Sequence, residues 1–249
     1  MSRTIVITGG TSGIGLATAK RFLNLGENVV VTARRQEAID EYNASLSEDE
    51  KSRSLTVLAD AANLQANQDL FNQVKERFGG VDVLFLNAGI APMIPFDQTN
   101  EDTFDSVFNI NVKGPYFTTQ AAIPHLNEGS TVIYNTSVVN VKGFPNLSAY
   151  SASKAALRSV VRSLATELAP KGIRVNAVAP GPIETPIYGK MNLSPEEVEQ
   201  LGAGFAQQVP LGRFGAADEI ADAVVYLGSN TASYITGNEI AVDGGLSMV

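Results

Sequence analysis

The sequence contains no cysteine and only one histidine, His125. The absence of cysteine excludes disulfides, thiolate nucleophiles and thiolate metal ligands. A single histidine excludes metal clusters built from several histidines and leaves little room for a Ser-His-Asp triad. We therefore expect no metal site, and any proton transfer by this protein must use other side chains.

Basic residues are few relative to acidic ones. The chain has 18 Lys and Arg against 26 Asp and Glu, which gives a formal net charge of −8 at pH 7. Such a chain is a poor partner for polyanions, so we expect no nucleic-acid binding. Its apolar runs are too short to span a membrane, and the run near the N-terminus does not resemble a signal peptide. We expect a cytoplasmic protein without a membrane partner.

Short apolar segments rich in β-branched residues alternate with longer segments of helical periodicity. Such short runs are typical of strands buried on both faces of a parallel sheet. We predict strands at Thr4–Thr8, Asn28–Ala33, Leu55–Ala59, Val81–Leu86, Thr131–Asn135, Arg174–Ala179 and Glu239–Val242, and helices near residues 13–25, 63–78, 101–125, 149–169 and 216–228. The alternation predicts one α/β domain over residues 1–249, a doubly wound parallel sheet with helices on both faces.

Residues 181–213 interrupt this alternation with a segment rich in Pro, Gly and Glu. A connection of this length inside a compact domain is usually functional. We interpret it as a substrate-binding lid, with an idle surface insertion as the alternative.

A glycine-rich turn follows the first predicted strand. It reads Thr8-Gly9-Gly10-Thr11-Ser12-Gly13-Ile14-Gly15 and is called the glycine turn below. Glycines let a backbone turn sharply and approach a pyrophosphate, while the N-terminus of the next helix offers N–H groups to phosphate. The spacing G-x-x-x-G-x-G differs from the common dinucleotide fingerprint G-x-G-x-x-G, and a glycine-rich turn alone is weak support for a dinucleotide site. Its place just after the first strand and at the start of a helix makes that support moderate.

Arg34 and Arg35 follow the second predicted strand. Sites that prefer NAD usually place an acid there for the ribose 2′-hydroxyl, whereas Ala33 stands at about that position here. The planar fork of an arginine suits a 2′-phosphate, which favours NADP(H) over NAD(H). Alternatively, Arg34 and Arg35 are only solvated residues at the start of a helix. Basic residues there oppose the helix dipole, so they gain nothing locally.

Tyr150 and Lys154 are four positions apart in a predicted helix, so their side chains share one face. A free tyrosine has a pKa near ~10, and a cation within ~4–6 Å lowers such a pKa by roughly 1–3 units. Lys154 would thus prepare Tyr150 as a general acid or base. Taken alone, a surface pair is the more common explanation of this spacing.

Polar residues near this pair change that weighting. Ser137 lies at the end of the fifth predicted strand and Asn87-Ala88-Gly89 at the end of the fourth, on the edge where open α/β sheets bind ligands. Asn111 lies in the middle of a predicted helix, where asparagine is a mediocre helix former. A capping or core amide is the alternative role of Asn111.

These motifs together resemble those of the short-chain dehydrogenase/reductase family. The segments that carry the resemblance are TGGTSGIG, NAG at 87–89, Asn111, Ser137, YSASK at 150–154, PG at 180–181 and the closing GNEIAVDGG at 237–245. The resemblance covers the whole chain. It implies a Rossmann fold of about seven strands and an NAD(P)-dependent oxidoreductase that reduces a ketone or oxidises a secondary alcohol.

The resemblance also implies four catalytic residues, called the tetrad below: Asn111, Ser137, Tyr150 and Lys154. Tyr150 would donate the proton to the carbonyl oxygen and Ser137 would hydrogen-bond to that oxygen. Lys154 would lower the pKa of Tyr150 and bind the nicotinamide ribose, and Asn111 would hold a water. The residues expected to bind the cofactor are Thr8, Gly9, Thr11, Ser12, Gly13, Ile14, Gly15, Arg34, Arg35, Asp60, Ala61, Asn87, Ala88, Gly89, Tyr150, Lys154, Pro180, Gly181, Ile183 and Thr185.

Substrate contacts are expected from Ser137, Val139, Phe144, Tyr150 and Tyr188. The variable positions near the site, which also include Ala91, Met93, Ile94 and Met191, are apolar and contain no arginine to bind a carboxylate or phosphate. We therefore expect a neutral, hydrophobic small-molecule carbonyl or alcohol. The alternative is that these residues only pack the loops. Family members that reduce enoyl double bonds usually space the tyrosine and lysine more widely, so the spacing here favours carbonyl reduction.

Two other functions and an assembly remain open. A 3-oxoacyl-[acyl-carrier-protein] reductase would dock an acidic carrier and tends to have basic residues just before the fifth strand. Here the segment 125–130 contains no Lys or Arg, although Arg158 and Arg162 offer another patch. A non-catalytic NADP-binding regulator would not need an intact tetrad. The family commonly forms homotetramers, and the apolar stripe of the helix that carries Tyr150 fits either a subunit interface or an internal core.

Overall fold

The computed structural model of the chain describes residues 2–186, 204 and 207–249. The strands are β1 (Thr4–Ile7), β2 (Asn28–Ala33), β3 (Ser54–Leu58), β4 (Val81–Leu86), β5 (Leu126–Asn135), β6 (Arg174–Pro180), β7 (Ile183–Glu184), β8 (Gly215–Ala216) and β9 (Glu239–Val242). The main helices are α1 (Gly13–Asn24), α2 (Gln36–Ala44), α3 (Glu48–Ser52), α4 (Leu64–Phe78), α5 (Glu101–Phe108), α6 (Gly114–Ala122), α7 (Ser148–Leu168) and α8 (Ala217–Leu227).

Seven of these strands form one parallel sheet in the order β3-β2-β1-β4-β5-β6-β9. The chain builds outward from β1 to β3, then returns to the other side of β1 with β4. This reversal places the carboxyl ends of β1 and β4 side by side, at the crevice where open α/β sheets bind ligands. The predicted doubly wound single domain is confirmed. Among the described helices, none combines the length and the apolar character of a membrane span.

Two apolar layers cover the sheet because successive residues of each strand point to opposite faces. Val6, Val30 and Leu84 pack on the face covered by α4, α6 and α7. Ile5, Ile7 and Val83 pack on the face covered by α1 and α8. Burial of each such side chain stabilises the fold by about 1.5–3 kcal/mol, which explains why the strands read as nearly continuous apolar runs.

The apolar stripe of α7 belongs to the core of this chain. Leu157, Val161 and Leu168 are at most 4% exposed and pack against the sheet, with Leu164 half-buried beside them. The internal-core reading of the stripe is therefore correct. The homotetramer stays a prediction that this stripe no longer supports.

Several elements differ from the sequence prediction. The helix expected at 101–125 is divided into α5, a π-helical turn at Asn109–Lys113, α6 and a short 3-10 turn. Helices α2 and α3 were not predicted, because α2 buries only Ile39 and Tyr42 and α3 buries no residue, so neither has an apolar stripe. The pair β7 and β8 has two residues in each strand, too few to show a period.

Candidate active site

The glycine turn connects β1 to α1 at the carboxyl edge of the sheet. A side chain at Gly15 would place its Cβ 2.2 Å from the Gly9 carbonyl oxygen, so only glycine fits this close packing. Gly9 has a φ of +64°, the left-handed conformation that favours glycine. The Ser12 side chain makes no capping hydrogen bond, and the first turn of α1 contains no acidic residue. The turn therefore fits a dinucleotide pyrophosphate at the positive end of α1.

Hydrogen bonds join the glycine turn to the ends of β4 and β5. Thr8 Oγ1 accepts the backbone N–H of Asn87 at 2.9 Å and that of Ala88 at 3.1 Å. The Asn87 side chain donates to the carbonyls of Thr8 and Gly9, both at 3.1 Å, and accepts from Asn135 Nδ2 at 2.9 Å. Thr8 and Asn87, both expected to bind the cofactor, thus also fix the position of the glycine turn relative to the ends of β4 and β5.

Asn111 lies in the π-helical turn and is fully buried. Its Oδ1 accepts the Ile90 N–H at 2.9 Å, and its Nδ2 donates to the Ile90 carbonyl at 2.8 Å and to Ser153 Oγ at 3.1 Å. These bonds tie the chain after Gly89 to helix α7. The core-amide role of Asn111 is confirmed, and π-helical turns often occur at functional sites. The water expected at Asn111 stays a prediction.

Helix α7 brings Tyr150 and Lys154 to the end of β5. Lys154 is only 4% exposed, which excludes a surface pair. Its Nζ donates to the Asn135 carbonyl at 2.7 Å and lies 5.6 Å from the centre of the Tyr150 ring. Ser137 caps the 3-10 turn Val138–Asn140, and its hydroxyl interacts with that of Tyr150. The structure therefore brings Ser137, Tyr150 and Lys154 together at one edge of the sheet.

Burial changes the proton affinities of this group. Desolvation raises the pKa of Tyr150 to about 12, against a smaller lowering by the Ser137 hydroxyl. Desolvation also lowers the pKa of Lys154 to about 8. The expected lowering of the Tyr150 pKa by Lys154 is therefore not found in this structure, because burial outweighs the one lowering contact, the hydrogen bond with Ser137.

The residues expected at the adenosine end are exposed. Arg34 and Arg35 follow β2, and within the described residues their side chains make no hydrogen bond or ion pair. Asp60 lies beyond the end of β3 and accepts the Ala62 N–H at 2.9 Å, with Ala61 partly buried beside it. These side chains stand at the same edge of the sheet as the glycine turn, free to contact a nucleotide.

The segment after β6 lies against the glycine turn from the other side. Pro180 ends β6, and Gly181 donates its N–H to the Val242 carbonyl at 3.0 Å. Ile183 is buried in β7, and Thr185 is so close to the glycine turn that a Cβ on Gly13 would lie 3.4 Å from the Thr185 Cβ. The expected nicotinamide-binding residues are thus adjacent to the expected pyrophosphate-binding ones.

Known proteins share this sequence and fold over nearly the whole chain. A family model described as Enoyl-(Acyl carrier protein) reductase matches residues 9–247. A short-chain dehydrogenase/reductase (glucose/ribitol dehydrogenase) from Brucella melitensis superposes with a TM-score of 0.92 at 36% identity, covering 99% of this chain and 97% of that one. The chain belongs to the short-chain dehydrogenase/reductase family.

Two further members illustrate the range of activities in the family. The 3α-hydroxysteroid dehydrogenase of Mediterraneibacter gnavus is 39% identical over 249 residues, which are 98% of this chain and 96% of that protein. The 3-ketoacyl-(acyl-carrier-protein) reductase of Brucella melitensis, solved with NADH, has a TM-score of 0.89 at 31% identity over 99% of this chain and 98% of that one. The present chain is thus an oxidoreductase of a family that uses NAD(P)(H).

Only some of the expected substrate residues lie next to Ser137 in the structure. Val139 is half-buried in the turn after Ser137, with its N–H 3.4 Å from Ser137 Oγ. Phe144 packs against Val138, Val209 and Leu246, so the loop-packing role holds for this residue. Tyr188 and most of the 181–213 segment interpreted as a lid lie outside the described residues.

Several polar residues around Ser137 were not predicted to belong to the site. Thr136 and Asn140 flank it, and both donate hydrogen bonds to the carboxylate of Glu239 on β9. Glu239 also pairs with Arg158 of α7 at 3.1 Å. The signal in the sequence was the cluster of polar residues around Ser137, but nothing local linked that cluster to a glutamate near the C-terminus.

Proposed function

We propose that the protein is an NADP(H)-dependent carbonyl reductase or alcohol dehydrogenase that acts on a neutral, hydrophobic ketone or secondary alcohol. The observation that carries the proposal is the group formed by buried Ser137, half-buried Tyr150 and buried Lys154 beside a glycine turn that fits a dinucleotide. Nothing else in the described residues joins a proton donor, a hydrogen-bond donor and a buried cation at the ligand-binding edge of the sheet.

In this proposal each member of the group has one task. The nicotinamide, when bound, supplies hydride to the carbonyl carbon. The Tyr150 hydroxyl gives its proton to the carbonyl oxygen, and the resulting phenolate is stabilised by the Lys154 ammonium. The Ser137 hydroxyl donates a hydrogen bond to the same oxygen as negative charge develops on it. Asn111 bonds to the Ile90 carbonyl and to Ser153 of α7, and so holds the part of α7 next to Lys154 in place.

Two observations support the apolar substrate. The turn beside Ser137 presents Val139, and Ala91 after β4 is buried, so neither position offers a charge to a substrate. The steroid dehydrogenase at 39% identity acts, by its name, on a large apolar alcohol. We therefore place alicyclic and aromatic ketones first among candidate substrates.

The preference for NADP(H) is supported by Arg34 and Arg35. Both guanidinium groups are exposed at the end of β2, where the 2′ position of an adenosine ribose is read in this type of fold. No acidic residue ends β2, and an acid is what selects the 2′-hydroxyl of NAD(H). A 2′-phosphate would gain charge-assisted hydrogen bonds from either arginine.

Reduction of an acyl-carrier-protein thioester is the competing function. The Brucella melitensis relative solved with NADH has that activity in its name. In the present chain Arg158, one of the two arginines considered for a carrier patch, is neutralised by Glu239 at 3.1 Å. This pairing weakens the basic patch that an acidic carrier would need.

The test is a screen of carbonyl substrates with NADPH and NADH, followed by absorbance of the reduced nicotinamide. The panel contains apolar alicyclic and aromatic ketones, a 3-oxoacyl thioester on pantetheine and on carrier protein, and an enoyl thioester. We expect fastest turnover of an apolar ketone with NADPH. Preference for the carrier-bound thioester would favour the competing function, and turnover of the enoyl thioester alone would contradict carbonyl reduction. Binding of NADPH without turnover of any substrate would favour a regulator.

A further inference from the structure

The Glu239 carboxylate is held inside the chain at the first residue of the edge strand β9. Its side chain is 13% exposed. Oε1 accepts from Thr136 Oγ1 at 2.5 Å and from Asn140 Nδ2 at 2.6 Å, while Oε2 pairs with Arg158 Nε at 3.1 Å. One carboxylate therefore accepts hydrogen bonds from two side chains near Ser137 and forms an ion pair with an arginine of α7.

The positions of those three donors connect Glu239 to the tetrad. Thr136 directly precedes Ser137, and Asn140 ends the 3-10 turn that Ser137 caps. Arg158 lies one turn further along α7 than Lys154, on the same side of the helix. Glu239 thus contacts the chain on both sides of Ser137 and links this turn to helix α7, which carries Tyr150.

We propose that Glu239 is a positioning residue that sets the Ser137 hydroxyl against Tyr150 for the reaction. The inference rests on the proposed function, because it gives Glu239 a role in the same carbonyl chemistry. Glu239 acts through Thr136 and Asn140, because its carboxylate accepts hydrogen bonds from these two side chains.

The turn also has hydrogen bonds between neutral groups, such as that from the Lys142 N–H to the Val138 carbonyl at 3.0 Å. Within it, the Asn140 N–H donates to the Ser137 carbonyl and the Val141 N–H to the Val138 carbonyl, both at 3.1 Å. The Val178 carbonyl accepts the Thr136 N–H at 2.9 Å and also lies 2.9 Å from Thr136 Oγ1, so the hydroxyl proton is shared between this carbonyl and the shorter contact to Glu239 at 2.5 Å. Hydrogen bonds to a charged group are stronger than neutral ones, which makes Glu239 the main anchor of this turn.

A purely structural ion pair at the sheet edge is the rival explanation, and the chain supplies a matched control for it. Arg3 and Glu27 form a pair at 2.9 Å with side-chain exposures of 33% and 14%, against 34% and 13% for Arg158 and Glu239. The Glu27 carboxylate also accepts a backbone N–H, that of Arg3. This pair lies before β1 and β2, at the opposite edge of the sheet from the tetrad.

The experiment compares Glu239→Ala, Glu239→Gln and Glu27→Ala in steady-state reduction of the best ketone, well below the melting temperature of each variant. We expect Glu239→Ala to lower kcat by roughly 10- to 100-fold, since small displacements of a reacting group cost about this much, with KM changed less than about threefold. Glutamine keeps an oxygen for Thr136 and Asn140, so we expect Glu239→Gln to stay within about threefold of the wild-type kcat. Glu27→Ala should leave kcat unchanged.

A second variant and a second measurement do not depend on Glu239→Ala folding well. Thr136→Val removes one of the two hydrogen bonds from this turn to Glu239 with little change in volume. We expect kcat to fall by about 5- to 20-fold, in proportion to a lost hydrogen bond to a charged group. Amide hydrogen exchange of the peptide 136–141 should be faster than wild type in Glu239→Ala and Thr136→Val, and unchanged in Glu27→Ala.

Three outcomes would overturn the proposal. One is a kcat of Glu239→Ala equal to that of Glu27→Ala, and another is a Glu239→Gln as impaired as the alanine variant. The third is unchanged exchange in the peptide 136–141. Wild-type protein that reduces no carbonyl would instead contradict the proposed function, and the exchange measurement would then still decide whether Glu239 holds the turn.

Discussion

The tetrad end of the site and the adenosine end differ in how their side chains are held. Asn111 is fully buried, Lys154 is 4% exposed, and both make hydrogen bonds to backbone carbonyls. Arg34 and Arg35 are exposed, and their side chains bond to no other described residue. The fold itself therefore holds Asn111 and Lys154 in place, whereas Arg34 and Arg35 have no partner among the described residues.

This difference predicts which kinetic constant each end controls. Groups that are already placed contribute to the transition state and so to kcat. Exposed arginines that bind the far end of a cofactor contribute to its affinity, equally in ground and transition states, and so to its KM. The predictions below test this division, from the largest expected effect to the smallest.

Tyr150→Phe removes the proposed proton donor and leaves the ring in place. We expect kcat for ketone reduction to fall by about 10²- to 10⁴-fold, the usual worth of a general acid, with little change in the dissociation constant of NADPH. Steady-state kinetics and cofactor fluorescence measure the two quantities. Tyr234→Phe, at a fully exposed tyrosine, is the control. Equal turnover by Tyr150→Phe and wild type would remove Tyr150 from the reaction.

Asn111→Ala tests whether the tetrad end is held by the fold itself. The change leaves the N–H and carbonyl of Ile90 without their partner, and a buried unpaired group costs about 1–3 kcal/mol. We expect a loss of this size in the free energy of unfolding, measured by urea denaturation without cofactor. Asn109→Ala, at an exposed position of the same π-helical turn, should change it by less than about 0.5 kcal/mol. Equal losses in the two variants would refute the anchoring role of Asn111.

The pH dependence of reduction reports the charge on Lys154. Its pKa is lowered by burial to about 8, so the ammonium is present below pH 8 and is lost as the pH rises through that value. Tyr150, with a pKa of about 12, keeps its proton throughout. We expect kcat/KM to be level below pH 8 and to fall by about tenfold at pH 9.

A Lys154→Arg variant sharpens this test. Arginine stays charged at every accessible pH, so the variant should show a level profile to pH 10 even if its absolute rate is lower. A level profile in the wild type would mean that the lysine charge does not limit the reaction.

Arg34→Ala addresses the exposed end. We expect the KM for NADPH to rise by roughly 5- to 10-fold, the scale of an exposed charge-assisted contact, and the KM for NADH and both kcat values to change by less than twofold. Lys171→Ala, at an exposed position on the opposite edge of the sheet, serves as the control. If NADPH and NADH are affected alike, Arg34 does not read the 2′-phosphate.

Local sequence was sufficient for most of the fold. The apolar runs of β1, β2, β4, β6 and β9 and the alternation with helices predicted a parallel doubly wound sheet, because buried parallel strands and amphipathic helices leave distinct periods. The same pattern missed α2 and α3, which bury too little to show a stripe. It also joined α5 and α6 into one helix, because the π-helical turn between them keeps the backbone helical and no sequence break marks it.

For the site, the sequence by itself determined which chemical groups are present, while the tertiary structure decided their protonation and their neighbours. Tyr150 and Lys154 were expected to interact so that the phenol became more acidic, but burial raises its pKa, and burial depends on how the whole chain packs. Glu239 lies about a hundred positions from Ser137, and only the adjacency of β5, β6 and β9 brings its carboxylate to that turn. Spacing along a chain carries no record of such contacts, because they arise from strand order.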